Sequence, residues 1–282
     1  MIPPFMLPTF STPSDAWYSA VDGLLQLDPA HYGVSPRGQA TVEYAGPQTF
    51  AVERPLAIRL QAGGRAFRHV IGVVEGLSLV GQVSVPEVII DKVSAFRPFM
   101  TRSIFWGAYG PRVAGDIGNV VELLKGDPDS RQAVLTIFDA DRDLMRTEQA
   151  DLPCTVALMY QVRRGSLEAW TVMRSNDAWL GLPYDLMQFG MLQAAVAQAL
   201  GLPAGAQTHS ANSLHLYERS RAKAMLAGPA PRSGAPQGFD GPLWGADDIG
   251  EISSRARRIL LGQASRLDGL TDFEAWAADL LS

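Results

Sequence analysis

The run Arg174-Ser175-Asn176-Asp177-Ala178-Trp179-Leu180-Gly181-Leu182-Pro183-Tyr184-Asp185 crowds an arginine, a hydroxyl and two carboxylates around a Gly-Leu-Pro turn. It begins twenty residues after Cys154, the chain's only cysteine. A thiolate is a nucleophile, and a guanidinium close to it raises the thiolate fraction. The same guanidinium is an anion-holding group. Attack of a thiolate on an anionic, electrophilic substrate is the chemistry these residues could perform together. On its own, Cys154 reads as a small buried apolar residue, and it is Arg174 that changes that reading.

Other groups could join them. Glu75 falls beside an apolar helical stripe, where a half-buried carboxyl has a raised pKa suited to proton transfer. Tyr109 sits in the loop Gly107-Ala108-Tyr109-Gly110. His215 and Tyr217 lie two apart on a predicted strand and so share one face. His31, His69 and His209 read as ordinary histidines.

The elements that must hold these groups follow from periodicity and punctuation. Helical spacing predicts helices over 14–27, with Ser14 as cap, and over 65–80, 116–125 and 183–201. Strand character predicts a pair of strands within 40–60, single strands at 131–138 and 208–217, and a hairpin of 154–162 with 167–173 through Arg163-Arg164-Gly165-Ser166. Residues 227–245, rich in Pro and Gly, read as a loop. The tail reads as two helices, the second opened by a capping box at Thr271-Asp272-Phe273-Glu274. Strands and helices mix without strict alternation, which favours an α+β fold.

The chain has 282 residues, 47% apolar and 19% charged, with net charge −5. That is ordinary for a globular protein and argues against a general nucleic-acid surface. One cysteine can make neither an internal disulfide nor a zinc cluster. No apolar run reaches membrane-spanning length, and residues 1–10 lack the basic start of a secretory signal. The expected location is the cytoplasm.

Leu152-Pro153-Cys154, then Arg174-Ser175-x-Asp177-x-x-Leu180-Gly181-Leu182-Pro183, then His215-Leu216-Tyr217 resemble, in order and spacing, the thymidylate synthase superfamily, which includes pyrimidine nucleotide hydroxymethylases. The resemblance covers roughly Asp127 to Tyr217. It implies one catalytic domain over 1–282, built on a mixed β-sheet flanked by helices, and a homodimer through packed sheets. It implies addition of Cys154 to C6 of a pyrimidine nucleoside monophosphate, whose C5 then takes a one-carbon unit from 5,10-methylenetetrahydrofolate. Arg174 and Ser175 would hold the phosphate, helped by Arg131 from the neighbouring subunit and by Arg37. His215 and Tyr217 would grip the sugar. Asp177 would contact folate and base, Glu75 would manage protons and water at the pyrimidine and the one-carbon unit, and Tyr109 would be the active-site tyrosine. No metal, nucleic acid or membrane enters this chemistry.

Three departures refine the expectation. Uracil-using members carry asparagine where this chain has Asp185; an ionised carboxylate only accepts hydrogen bonds, so it suits the amino group of cytosine and repels O4 of uracil. Thr155 stands where thymidylate synthases have histidine. The ending Ala278-Asp279-Leu280-Leu281-Ser282 lacks the family's short carboxylate-bearing tail that keeps water from the folate. Water would then trap the exocyclic methylene. The expected activity is cytidylate 5-hydroxymethylation, dCMP favoured over CMP. The alternatives are a thymidylate synthase acting on dUMP and a catalytically silent nucleotide-binding member.

Overall fold

The computed structural model describes residues 7–28, 31–35, 38–100, 105–145, 151–229 and 237–282. Its first elements are β1 (Thr9–Phe10), α1 (Pro13–Leu25), β2 (Tyr32–Val34), β3 (Ala40–Glu43), β4 (Gln48–Val52), α2 (His69–Val80) and α3 (Glu87–Lys92). There follow α4 (Asp116–Gly126), β5 (Val134–Thr136), α5 (Ala140–Asp143), β6 (Thr155–Arg163), β7 (Ser166–Met173), β8 (Asn176–Asp177) and α6 (Leu182–Ala199). The last are β9 (Ala204–Ala211), β10 (Leu214–Tyr217), α7 (Glu218–Ala224), α8 (Ile249–Leu260) and α9 (Asp272–Leu281).

Six strands form a mixed sheet in the order β1-β4-β9-β7-β6-β5, and four form a smaller one, β2-β3-β10-β8. With helices packed against them, this is the α+β class expected. The β6–β7 hairpin turns through Arg164 and Gly165, both at positive φ (52° and 77°). Two such residues make the turn whose twist matches that of the strands.

Several expectations need correction. β3 and β4 do not pair with each other: β3 joins the small sheet and β4 the large one. The run 208–217 is likewise two strands, split at Asn212-Ser213, one in each sheet. Both times the chain crosses between sheets within a few residues, while its composition barely changes. The cap of α1 is Thr12, not Ser14: Thr12 Oγ1 accepts from the Asp15 N–H, and Asp15 Oδ2 accepts from the Thr12 N–H at 3.1 Å. α2 starts at His69 rather than Arg65, because residues 62–65 are engaged in bridges, Ala62 to Arg65 and Gly63 to Gly228. Helices α3, α5 and α7 were not foreseen. The described part of the 227–245 loop has no helix, yet it buries Trp244 completely.

α6 buries seventeen of its eighteen residues. One side lies on β7 and β9, the other on α2. Gly72 and Gly76 of α2 face Met187 and Met191 of α6, and a Cβ at either glycine would run into a methionine side chain. This close approach carries Glu75, between the two glycines, toward the first turn of α6. At the far end α8 and α9 are tied by a buried ion pair, Arg255 to Glu274 at 2.7 Å. Glu274 also closes the expected capping box with Thr271. On the sheet face that carries Trp170, 45% exposed, Val134, Met159, Trp170, Thr208 and Ala51 form a continuous cross-strand row.

The loop bearing Tyr109 is clamped from behind. Arg112 and Asp143 are both buried and meet in a two-pronged ion pair at 2.7 and 2.8 Å. Arg112 also donates to the carbonyls of Trp106 and Ile137. No described helix is long and apolar enough to cross a membrane.

A methyl group on Gly110 would collide with the carbonyl oxygens of Ser78 and Val83, which are backbone and cannot swing aside. Gly110→Ala should therefore cost about 1–3 kcal/mol. Chemical denaturation checks this, and an unchanged midpoint would contradict the packing described.

Candidate active site

Cys154 lies just ahead of β6 and is half-buried. Arg174, the residue after β7, reaches back across the hairpin. Its N–H bonds the Cys154 carbonyl at 2.8 Å and its Nε donates to the Pro153 carbonyl at 2.9 Å. Its Nη2 lies 3.9 Å from Cys154 Sγ. The hairpin thus brings thiol and guanidinium together as expected, and that proximity favours a thiolate.

Tyr109 joins this pair to the acids. Its hydroxyl oxygen accepts from Thr155 Oγ1 at 3.0 Å and from the Thr155 N–H at 3.3 Å. Its ring stacks on Phe189 of α6. Burial pushes its pKa well above the usual tyrosine range, and the fields of Asp185 and Cys154 push the same way. One hydroxyl thus senses both the sulfur and the carboxylate.

Glu75 is ringed by protein yet keeps some accessible surface. Burial raises its pKa well above the carboxylate norm, with Asp185 and Asp151 adding to the effect. Asp185, in the first turn of α6, is 7% exposed. Burial raises its pKa to about 7, assisted by Asp177, against hydrogen bonds from Asn176 and Gln188 that pull it down.

The small sheet supplies the rest. β8 and β10 run parallel with Asp177 opposite His215. Asp177 Oδ1 accepts from the N–H groups of Trp179 and Leu180 at 2.8 and 3.2 Å. Its pKa is raised, chiefly by burial. His215 and Tyr217 share a face, their rings edge-on at 5.0 Å.

The thymidylate synthase family profile matches residues 99–227 of the chain, the segment that holds Tyr109, Cys154, Arg174, Asp185 and His215. The chain is also similar to the deoxyuridylate hydroxymethyltransferase of Bacillus phage SP01, 28% identical over 201 residues. That match covers 65% of this chain and 52% of the phage protein, so the chain aligns with about half the length of that relative.

Within the matched segment, Ser175 is half-buried beside Arg174. Arg131 is exposed on the loop before β5, the edge strand of the large sheet. No contact joins it to the cluster among the described residues. Arg37 lies outside the described residues.

Three residues escaped the sequence reading. Asn176 Nδ2 donates to Asp185 Oδ2 at 2.6 Å, and Gln188 Nε2 donates to Asp185 Oδ1 at 3.0 Å. His209 Nε2 lies 3.3 Å from Asn176 Oδ1, and burial lowers its pKa to about 3. Gln188 stands one helical turn after Asp185, a spacing that could have flagged it. Asn176 sat unread inside the motif, and nothing local links it to His209. Gly181 lies against the Asn176–Asp185 bond: a Cβ there would come within 3.1 Å of Asn176 Nδ2 and 3.3 Å of Asp185 Oδ2.

A carboxyl whose pKa rises on folding costs stability once the pH exceeds its unfolded value. Since Asp185 goes from 3.8 to about 7, that cost should grow between about pH 4 and 7 and level off above. Each unit corresponds to about 1.4 kcal/mol. Relative to Asp185→Asn, the wild type should therefore lose stability across this window. Parallel denaturation curves for the two proteins from pH 4 to 8 would contradict the assignment.

Proposed function

We propose that this protein transfers a one-carbon unit to C5 of a cytidine monophosphate, dCMP favoured over CMP, and releases the 5-hydroxymethyl nucleotide. The observation that carries this reading is Asp185, a buried carboxyl poised between its acid and its anion near neutral pH. In the acid form it donates to N3 of cytosine while its other oxygen accepts from the exocyclic amino group. Protonating N3 draws electrons from the ring and favours thiolate addition at C6. As the anion it would face O4 of uracil, acceptor against acceptor.

In this reading Cys154 adds to C6, with Arg174 beside it and Ser175 next in the chain as phosphate donors. Arg131, from a second copy of the chain, and Arg37 complete the phosphate site. His215 and Tyr217 hold the sugar. Tyr109 and Glu75 handle the proton that leaves C5; burial raises the pKa of both, which makes each a stronger proton acceptor in its ionised form. With loss of the C5 proton the bond from the one-carbon unit to the folate nitrogen would break and tetrahydrofolate would leave; water then adds to the exocyclic carbon, Cys154 departs, and the C5–C6 double bond is restored. The half-open setting of Glu75 supports access of water to this carbon.

The two carboxyl groups Asp177 and Glu75 suit methylenetetrahydrofolate. Asp177 keeps Oδ2 outside its turn hydrogen bonds, available to an N–H donor, and Glu75 makes no side-chain hydrogen bond among the described residues. When bound, the folate supplies carbon at the oxidation level of formaldehyde. The apolar row Val134-Met159-Trp170 supports a homodimer through the large sheet.

A second reading, hydroxymethylation of dUMP, is favoured by the name of the phage relative. The two readings separate in one assay. Tritium release from 5-tritiated substrates should be far faster with dCMP and CMP than with dUMP; preferential use of dUMP would establish the second reading instead. Asp185→Asn should move the preference toward uracil by roughly 10–100-fold, the equivalent of one mismatched buried hydrogen bond. Cys154→Ser should abolish release, and ordinary turnover by that variant would defeat the covalent scheme altogether.

A further inference from the structure

We infer that Asn176 and His209 are specificity-positioning residues, a buried relay from β9 through β8 that orients the Asp185 carboxyl and leaves its outer lone pairs to the pyrimidine. The inference rests on the cytidylate reading for its functional meaning, but its geometry stands apart from it.

The polarity of the relay follows from which atoms can donate. Asn176 Nδ2 lies 2.6 Å from Asp185 Oδ2, and between an amide nitrogen and a carboxylate oxygen only the nitrogen donates. The other end of that amide, Oδ1, is an acceptor, so His209 Nε2 at 3.3 Å must carry a hydrogen. His209 is fully buried, stacked on Phe50 at 5.4 Å, and its Nδ1 has no hydrogen-bond partner. A neutral ring with its one hydrogen on Nε2 accounts for all three facts. It fixes the amide of Asn176 without bringing a positive charge to Asp185.

Neutrality is the useful property. A cation at His209 would hold Asp185 in its anionic form, which cannot donate to a ring nitrogen. Gln188 Nε2 occupies one lone pair of the other carboxyl oxygen, Oδ1, at 3.0 Å. Each oxygen therefore has one protein donor, and the remaining lone pairs, with the proton when it is present, are left for a ligand. The titratable groups facing this carboxyl are Asp177 from β8, Glu75 from α2 and Tyr109 ahead of Gly110, all of them acids. Asn176 and Gln188 are thus the neutral donors that keep the anion accessible within an acidic surround.

The test follows the titration of Asp185 in ligand-free protein by infrared difference spectroscopy, its carboxyl band being the one lost in Asp185→Asn. Removing a donor from the anion makes the acid form harder to ionise. Asn176→Ala should lower the acid constant by about tenfold. His209→Phe, which keeps the stack on Phe50, should lower it by a smaller factor, and His209→Gln, which restores an N–H donor, should recover most of it. In turnover, the ratio of kcat/KM for dCMP over dUMP should fall by about tenfold in Asn176→Ala.

Acid constants within twofold of wild type in both Asn176→Ala and His209→Phe would overturn the relay, and a shift in Asn176→Ala alone would overturn its His209 half. Should Asn176→Ala fail to fold, His209→Phe, which leaves the Asn176–Asp185 contact in place, decides the question. A wild-type enzyme that prefers dUMP would defeat the cytidylate reading, while the ligand-free titration would still decide the relay.

Discussion

The whole site depends on burying α6 on every side. A helix that packs on a sheet with one face and on another helix with the opposite face cannot slide, because any shift opens a void or forces an overlap. Its first turn carries Asp185, and the glycine notches of α2 bring a second acid, Glu75, beside it. Tyr109 is stacked on Phe189 of the same helix. Three titratable groups thus take their positions from the packing of one apolar element. Burying the acids would be costly in isolation, and here proton retention and amide donors offset that cost.

The charges divide the cluster into two ends. Arg174 and the sulfur of Cys154 stand at one, and Asp177, Asp185 and Glu75 gather at the other, with Tyr109 between. Behind the acidic end, Arg65 lies among Trp17, Phe67 and Trp179, 4.1 to 4.7 Å from each ring centre. Burial there lowers its pKa, against the opposing pull of Tyr184 and Asp177. Held among ring faces, this arginine supports the acidic end from outside rather than neutralising it.

Much of this was legible in the chain because the chemistry is compressed into short motifs. Cys154, Arg174, Asp177, Asp185, His215 and Tyr217 all fall within three runs, and the hairpin that unites the first two is announced by Arg164-Gly165. What stayed hidden depended on strand order. Asn176 meets His209 only because the chain switches sheets at Asn212-Ser213, setting β8 beside β10 while β9 stays beside β7. The same switch made 208–217 look like one strand, since residues on both sides of it suit a buried strand equally well. Thr12-Pro13-Ser14-Asp15 did contain its capping signal, an acceptor hydroxyl three residues before a carboxylate with proline at the first helical position.

The clamp behind Tyr109 carries an evolutionary consequence. Arg112 and Asp143 are buried together, and losing either partner strands a charge in the interior, at a typical cost of about 3–5 kcal/mol. A matched apolar pair of similar volume is often no less stable, so both the present state and its replacement are tolerable, whereas each single-step intermediate is not. Descendants of this chain should keep the two residues together or exchange them together, and a lineage that begins with one change would need its compensation almost at once.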